Sequence, residues 1–268
     1  MTYGELSQRL KSAGIDNFDG EARLLIEHFC RSQVSIDTDY ECAALSAAVE
    51  KRVTGYPLQY IIGKWWLARC EFFVSEDCLI PRPDTECVIE EAVRFLPQNA
   101  KFADLCTGSG CIAVSILDLR CDTRADAYEL YPETLEIAIK NAVHNGVADR
   151  FCGICGDVTQ AGLLGDKKYA AIVSNPPYIK RDVVDTLSRE VHFEPRAALD
   201  GGVDGLDFYR AIVQNFAVNL ESGGAFIFEI GYDQAGDIDQ IARENGFDCR
   251  IVRDFGGNDR TAILTRNA

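Results

Sequence analysis

Histidine is scarce in this chain. Only three are present among 268 residues, His28, His144 and His192, and no ligand spacing joins them. Cysteine is plentiful but lacks a framework. Eleven occur, an odd number, scattered through apolar stretches around Cys30, Cys70, Cys87, Cys111 and Cys249. The lone C-x-x-C, Cys152 to Cys155, has no second pair to complete a zinc site. The cysteines read as small buried thiols, and no metal is expected. No apolar run reaches membrane-spanning length. The start, M-T-Y-G-E-L-S-Q-R-L, has neither the basic end nor the apolar stretch of a secretory signal. A cytoplasmic location is therefore expected. Positive charge is also short: 27 Lys and Arg face 42 Asp and Glu, a net charge of −15. A field of that sign repels phosphate backbones and argues against nucleic acid as the main partner. It suits a basic protein partner, or simply keeps the chain in solution.

With 47% apolar and 26% charged residues, the composition is that of a globular protein able to bury one or two cores. From Tyr3 to about Val53 the pattern is helical. Leu6 and Leu10, then Ala22, Leu25, Ile26 and Phe29, recur at three- and four-residue intervals, and a third helix is predicted over about Asp39 to Val53. Residues 1–56 thus read as a helical bundle, a candidate docking surface for a large substrate or a mere packing element. Residues 57–82 read as a linker carrying a hairpin, with Tyr60, Ile61, Ile62, Trp65, Trp66, Phe72, Phe73 and Val74 as strand formers. Its end, I-P-R-P-D-T-E, forces an extended entry at Pro81 and Pro83 and looks like a helix start with acids in the first turn; Arg82 sits on this stiff loop.

Residues 83–268 alternate between strand and helix. Strands are predicted at Phe102 to Leu105, Arg124 to Glu129, Phe151 to Cys155, Tyr169 to Ser174, Gly224 to Ile230, Phe247 to Val252 and Thr261 to Thr265. Helices are predicted at Pro83 to Phe95, Gly110 to Leu119, Pro132 to His144, Asp207 to Leu220 and Gln234 to Asn245. The expected fold is α/β: a seven-stranded, mostly parallel, doubly wound sheet with an antiparallel edge.

One strand ends in S-N-P-P-Y, Ser174 to Tyr178. Two successive prolines cannot donate to a ladder and hold the exit path stiff. Asn175 then offers a side-chain acceptor at a fixed place, next to the carbonyl of Pro176. Two adjacent acceptors suit a planar NH2 group, and Tyr178 offers a face for stacking.

Upstream, the first strand runs into D-L-C-T-G-S-G, Asp104 to Gly110. It is not a G-x-G-x-x-G turn, so a diphosphate is less apt than a ligand that approaches the backbone and helix N-terminus. Glu129 ends the next strand, placed to accept both hydroxyls of a ribose. Asp157 follows the third strand, where it can accept from an adenine amino group with Val158 against the ring. Three such features on successive strand ends describe an adenosine site without a diphosphate, and S-adenosylmethionine is the expected occupant.

The order of glycine turn, Glu129, Asp157 and N-P-P-Y resembles a class I S-adenosylmethionine-dependent methyltransferase. The stretches L-I-P-R-P-D-T-E, D-L-C-T-G-S-G, I-V-S-N-P-P-Y-I, F-E-P-R-A-A-L and R-D-F-G-G-N-D-R are similar to the HemK/PrmC family, from about Pro57 to Arg266. The resemblance implies N5-methylation of the glutamine in the Gly-Gly-Gln motif of peptide-chain release factors. It implies that Cys106, Thr107, Gly108, Ser109 and Gly110 wrap the methionine part of the cofactor, Glu129 holds its ribose, and Asp157 and Val158 border its adenine. Asn175, Pro176, Pro177 and Tyr178 would hold the substrate glutamine beside the cofactor, with Arg82 near the substrate. Cys106 stands where the family usually has glycine, and its thiol would narrow the approach to the cofactor. Two other readings remain open: an N6-adenine methyltransferase, whose target is also a conjugated NH2, and a scaffold that has lost activity.

Overall fold

The computed structural model of the chain describes residues 1–36 and 38–266. It divides into two compact units, Met1–Lys64 with Leu187–Glu194, and Trp65–Thr186 with the chain from Pro195 onward.

In the first unit, α1 (Tyr3–Ser12) opens on a capping box: Thr2 Oγ1 accepts from the Glu5 N–H while Glu5 accepts from the Thr2 N–H. It buries Tyr3, Leu6 and Leu10. Helix α2 (Phe18–Cys30) buries Ala22, Leu25 and Ile26, and α3 (Ala43–Val53) buries Leu45, Ala48 and Val49. The third helix thus starts four residues later than its alanine content predicts. Asp39 bridges to Thr2 and the Tyr40 N–H donates to the Met1 carbonyl, so this stretch is held extended. A second correction concerns Tyr60, Ile61 and Ile62, predicted as strand. They lie in a short helix, α4 (Leu58–Ile62), which begins directly after Pro57 and stops at Gly63, whose φ of 76° is left-handed. In five residues those two end signals outweigh β propensity.

The returning segment Leu187–Glu194 is fixed to the helices by a buried cation. Arg52 is 2% exposed. Its Nε and Nη2 donate to the two carboxylate oxygens of Glu21 at 2.5 and 2.9 Å, and Nη2 also reaches Glu190 Oε1 at 2.5 Å. Removing one member of such a cluster strands a charge in a poor solvent. Arg52→Ala is expected to destabilise this unit by about 3 kcal/mol, the low end for a buried pair because Glu190 is partly exposed. Urea unfolding read by circular dichroism checks this; a loss below about 1 kcal/mol would mean the pairs behave as surface pairs.

In the second unit, β1 (Lys64–Leu67) and β2 (Cys70–Phe73) form a two-stranded sheet, as the hairpin reading expects. Helix α5 (Thr85–Phe95) starts two residues beyond Pro83, after a turn. Then follow β3 (Lys101–Leu105), α6 (Cys111–Leu119), β4 (Arg124–Glu129), α7 (Pro132–His144), β5 (Phe151–Cys155), β6 (Tyr169–Ser174), α8 (Arg181–Val184), α9 (Asp207–Phe216), β7 (Leu220–Glu229), α10 (Ala235–Glu244), β8 (Phe247–Arg253) and β9 (Asp259–Arg266). The sheet order is β5-β4-β3-β6-β7-β9-β8. Six strands run in one direction, five of them paired in parallel, and β9 runs antiparallel between β7 and β8. The seven-stranded, mostly parallel expectation is met.

Both faces of the sheet are covered, so the central strands are apolar on both sides. Phe102, Ala171, Val173 and Ile227 pack under α5, α6 and α7; Ala103, Ile172, Phe226 and Phe228 pack under α9 and α10. Residue by residue, neighbours in a strand alternate between these two cores. Among the described residues no helix is long and apolar enough to cross a membrane. The chain reverses direction across the sheet at β3, between β4 and β6, and the crevice at that point is where open α/β sheets take ligands.

Candidate active site

A cavity of about 450 Å³ opens at this edge. Its wall includes Cys106, Thr107, Gly108 and Ser109 from the first turn, Glu129 from β4, Gly156, Asp157 and Val158 after β5, Asn175 and Pro177 after β6, and Arg82 from the proline-rich loop. The parallel register explains the gathering: Leu105 pairs with Tyr128 on one side and with Ser174 on the other, so the three exits lie side by side. Of the residues singled out in sequence, Gly110, Pro176 and Tyr178 are not part of the wall.

The glycine turn is left-handed at alternate residues, with φ of 58° at Cys106, 56° at Gly108 and 79° at Gly110. At Gly110 a Cβ would meet Ala138 Cβ at 3.1 Å, so glycine serves there for close packing on α7 rather than for the ligand. At Cys106 the same backbone region carries a β-carbon, a strain of about 1–2 kcal/mol that glycine would not have. Burial and the nearby Glu129 push the Cys106 thiol far up, so it is a neutral wall and not a nucleophile.

Glu129 is 8% exposed, and burial raises its carboxyl. Its Oε2 accepts from the Gly108 N–H at 3.0 Å, and its Oε1 from the N–H groups of Leu130 and Tyr131 at 2.9 and 3.3 Å. A carboxylate has about four lone-pair sites, so three backbone donors leave full-strength room for one more, not for both hydroxyls of a ribose. Asp157 behaves similarly. Its Oδ1 accepts from the N–H and hydroxyl of Thr159, which holds the carboxyl below its usual range, and its Oδ2 accepts weakly from Gln160 at 3.4 Å. Oδ2 is the atom left to accept from a guest amino group. Val158 is buried beside it.

At the N-P-P-Y corner, Asn175 is half-buried and Pro176 and Pro177 are buried. The Tyr178 ring is not a free stacking face. It packs against the apolar core under α9, and its hydroxyl donates to Glu229 at 3.4 Å. Its phenol is pushed up, by burial first and by Glu229 second.

Sequence reasoning missed several walls. Asp77 to Ile80, Leu130 and Tyr131, Arg181, and Pro195, Ala197 and Ala198 all line the cavity. The last three lie in F-E-P-R-A-A-L, which carried the resemblance without being given a role. Asp104 was noted only as the acid of the turn. It is fully buried; Oδ2 accepts from the Thr107 hydroxyl at 2.6 Å and the Ala113 N–H at 3.2 Å, while Oδ1 has no partner. Burial pushes its carboxyl up to about 7. Glu129, Cys106 and Asp157 line the cavity close by, and the cavity residues supply what an adenosine-bearing donor needs: an acceptor for a hydroxyl at Glu129, one for an amino group at Asp157 Oδ2, and an apolar edge at Val158.

Known proteins resemble this chain over most of its length. A family model described as the PrmC N-terminal domain matches residues 3–63, and one described as the methyltransferase small domain matches residues 89–200. A methyltransferase from Pyrococcus furiosus superposes with a TM-score of 0.57 at 15% identity, covering 74% of this chain and 90% of that one, a likeness of fold. The chain has the class I methyltransferase fold. The release factor glutamine methyltransferase of Caulobacter vibrioides is 35% identical over 271 residues, covering 97% of this chain and 93% of its own. That of Moorella thermoacetica is 36% identical over 278 residues, covering 99% and 98%. The chain belongs to the release factor glutamine methyltransferase family.

Two outcomes follow from the site's electrostatics. A carboxyl raised on folding favours the folded state at low pH, and that contribution is lost as pH rises from the unfolded value, 3.8 for Asp104, through about 7. The ligand-free protein should therefore lose melting temperature between about pH 4 and 8, and, because burial raises Glu229 to about 7 as well, Asp104→Asn should make that slope shallower without abolishing it in scanning calorimetry; an unchanged slope would place the titration elsewhere. Alkylation should discriminate among the cysteines. Exposed Cys121, Cys152 and Cys155 should react with iodoacetamide in peptide mapping well before Cys106, which would have to react early for the neutral-thiol reading to be wrong.

Proposed function

We propose that this protein transfers a methyl group from S-adenosylmethionine to the side-chain nitrogen of the Gly-Gly-Gln glutamine of peptide-chain release factors. The observation that carries the reading is the presence of Asn175 and Pro177 on the same cavity wall as Cys106 to Ser109, Glu129 and Val158. Donor site and acceptor corner thus share one space, in a chain that matches release factor glutamine methyltransferases over nearly its whole length.

Glu129 would take a ribose hydroxyl, Asp157 Oδ2 and Val158 the adenine edge, and the turn from Cys106 to Ser109 the methionine end. When bound, the donor supplies a methyl group already activated on a sulfonium. What remains for the protein is the acceptor, an amide nitrogen whose lone pair is delocalised into its carbonyl. The Asn175 side-chain oxygen would accept one of its hydrogens, fix the nitrogen, and favour the positive charge that grows on it; the Pro176 carbonyl, which lies off the cavity wall, would have to turn toward the substrate to accept the second. Asn175 does not titrate near neutrality, so it positions the nitrogen and takes no proton; the proton leaves to solvent. Arg82 lines the cavity too, and the substrate loop would pass beside it.

The adenine alternative would need a surface that attracts nucleic acid, whereas the charge is −15. The scaffold alternative predicts no cofactor binding.

Mass analysis of a purified release factor after incubation with this protein and S-adenosylmethionine should show one added methyl on the Gly-Gly-Gln glutamine. Label that appears only in DNA or RNA would reverse the assignment. Asn175→Ala should lower turnover by about 100-fold or more, as for loss of one preorganised partner, while equilibrium dialysis finds cofactor binding retained. Normal turnover with normal cofactor binding would remove Asn175 from its role.

A further inference from the structure

Three stretches far apart in sequence meet at one buried carboxylate. Glu229 ends β7 and is 1% exposed. Phe228 pairs with Ser174 across the parallel strands, so Glu229 stands one step along, level with Asn175. Its Oε2 accepts from the Thr85 hydroxyl at 2.7 Å and its Oε1 from the Tyr178 hydroxyl at 3.4 Å. Thr85 belongs to I-P-R-P-D-T-E and lines the cavity; Tyr178 closes the N-P-P-Y corner. The countercharge comes from R-D-F-G-G-N-D-R: Arg260 pairs with Asp84 at 3.4 Å and Asp254 at 3.2 Å, donates to the Ile230 carbonyl at 3.2 Å, and opposes the burial that raises Glu229.

The turn after β7 adds a second grip. Gln234 is 4% exposed; its Oε1 accepts from the Gly231 N–H, and its Nε2 donates to the carbonyls of Tyr178 and Gly205 at 3.1 and 3.2 Å. Tyr178 is held weakly at its phenol by Glu229, at 3.4 Å, and more firmly at its carbonyl by Gln234. Gly201 and Gly205 pack so close that an added Cβ would meet Tyr178 Cα at 2.7 Å and Tyr178 O at 2.4 Å. A buried carboxylate is a costly way to fill a core, and an apolar residue of like volume is often more stable there. What a carboxylate provides and a leucine does not is two coplanar acceptors aimed at two different loops.

We propose that Glu229 is a positioning residue for the glutamine site, locking the N-P-P-Y corner to the proline-rich loop and thereby setting where Asn175 stands on the cavity wall. The proposal rests on the reading of Asn175 as the residue that holds the glutamine amide. With Glu229 removed, Tyr178 keeps its backbone anchors but its ring is free to turn, and Thr85 loses its acceptor. The corner and the loop then move independently. Displacements on the order of 1 Å at such a place cost turnover without costing cofactor affinity, because Glu229 touches neither the glycine turn nor Asp157.

The test compares Glu229→Ala, Glu229→Gln, Tyr178→Phe and Asn175→Ala in the full chain. Glu229→Ala should lower kcat on release factor by about 10- to 100-fold with the S-adenosylmethionine Kd held within about twofold. Hydrogen exchange should quicken in the peptide spanning Asn175 to Lys180 and stay unchanged in β3 and β4. Glu229→Gln keeps a group that can bond both hydroxyls, since each can donate or accept, and should recover to within about threefold of wild type. The proposal is overturned by wild-type kcat in Glu229→Ala, by Glu229→Gln no faster than Glu229→Ala, or by kcat and cofactor affinity falling together with exchange quickened across the sheet. Should Glu229→Ala not fold, Tyr178→Phe decides: a loss of about tenfold supports the lock and unchanged kcat refutes it. An inactive Asn175→Ala beside an unaffected Glu229→Ala defeats this proposal alone, whereas an active Asn175→Ala defeats the reading beneath it.

Discussion

The parallel pairing of β3 with β6 is the constraint on which the site depends. A parallel strand cannot reach its neighbour by a tight turn, so each strand exits at the same edge and a longer connection returns the chain, helical everywhere but between β5 and β6. Both faces of the sheet are largely apolar and covered, and a row of polar groups gathers at that edge, apart from the Asp126 cluster with Lys101, Lys167 and Tyr169. Asp104, Glu129, Asn175 and Glu229 all stand at or next to the carboxyl ends of β3, β4, β6 and β7. The chemistry is local, but the register that sets Leu105 against Tyr128 and Ser174 is what makes it one place.

The same burial that shapes the edge changes its acids. Asp104 and Glu229 are both pushed up to about 7, and Glu129 is raised, each by desolvation first. They differ in what opposes the rise. Asp104 has a hydroxyl and one backbone N–H on one oxygen and nothing on the other; Glu129 has three backbone N–H groups; Glu229 has two hydroxyls and a guanidinium nearby. Three carboxyls of similar burial thus serve different ends: one caps the start of α6, one faces the cavity with limited spare capacity, and one ties loops together.

Much of the sheet could be read in the sequence because its signals are short-range. The strand Arg124–Glu129 and helix Pro132–His144 have the bounds their apolar pattern and proline predict. The glycine turn, Glu129, Asp157 and N-P-P-Y were legible for the same reason: each is a local break at a strand end. What was not legible depends on partners distant in sequence. Nothing around Glu229 distinguishes it from a solvated strand-end acid until Thr85 and Tyr178 are placed beside it, 144 and 51 residues away. Tyr178 likewise reads as an exposed face by itself and becomes a buried ring only against α9 and β7. Tyr60 to Ile62 failed in the other direction, where strong strand formers were overruled by a proline before them and a left-handed glycine after.

Cys106 sits where strand end, turn and corner meet. A turn that leaves β3, presents its backbone to a ligand and enters α6 within six residues needs left-handed residues at alternate positions, and it has them at 106, 108 and 110. Two are glycine. The third carries a side chain whose strain the surroundings must offset, and they do so by burying the thiol against Ser174, which also donates its hydroxyl to the Leu105 carbonyl. The Cys106 side chain, which lines the cavity, is therefore in contact with the residue that precedes Asn175. Strand pairing, left-handed turn and proline-stiffened corner act as one assembly, and a change in the size of residue 106 acts on both halves of the cavity at once.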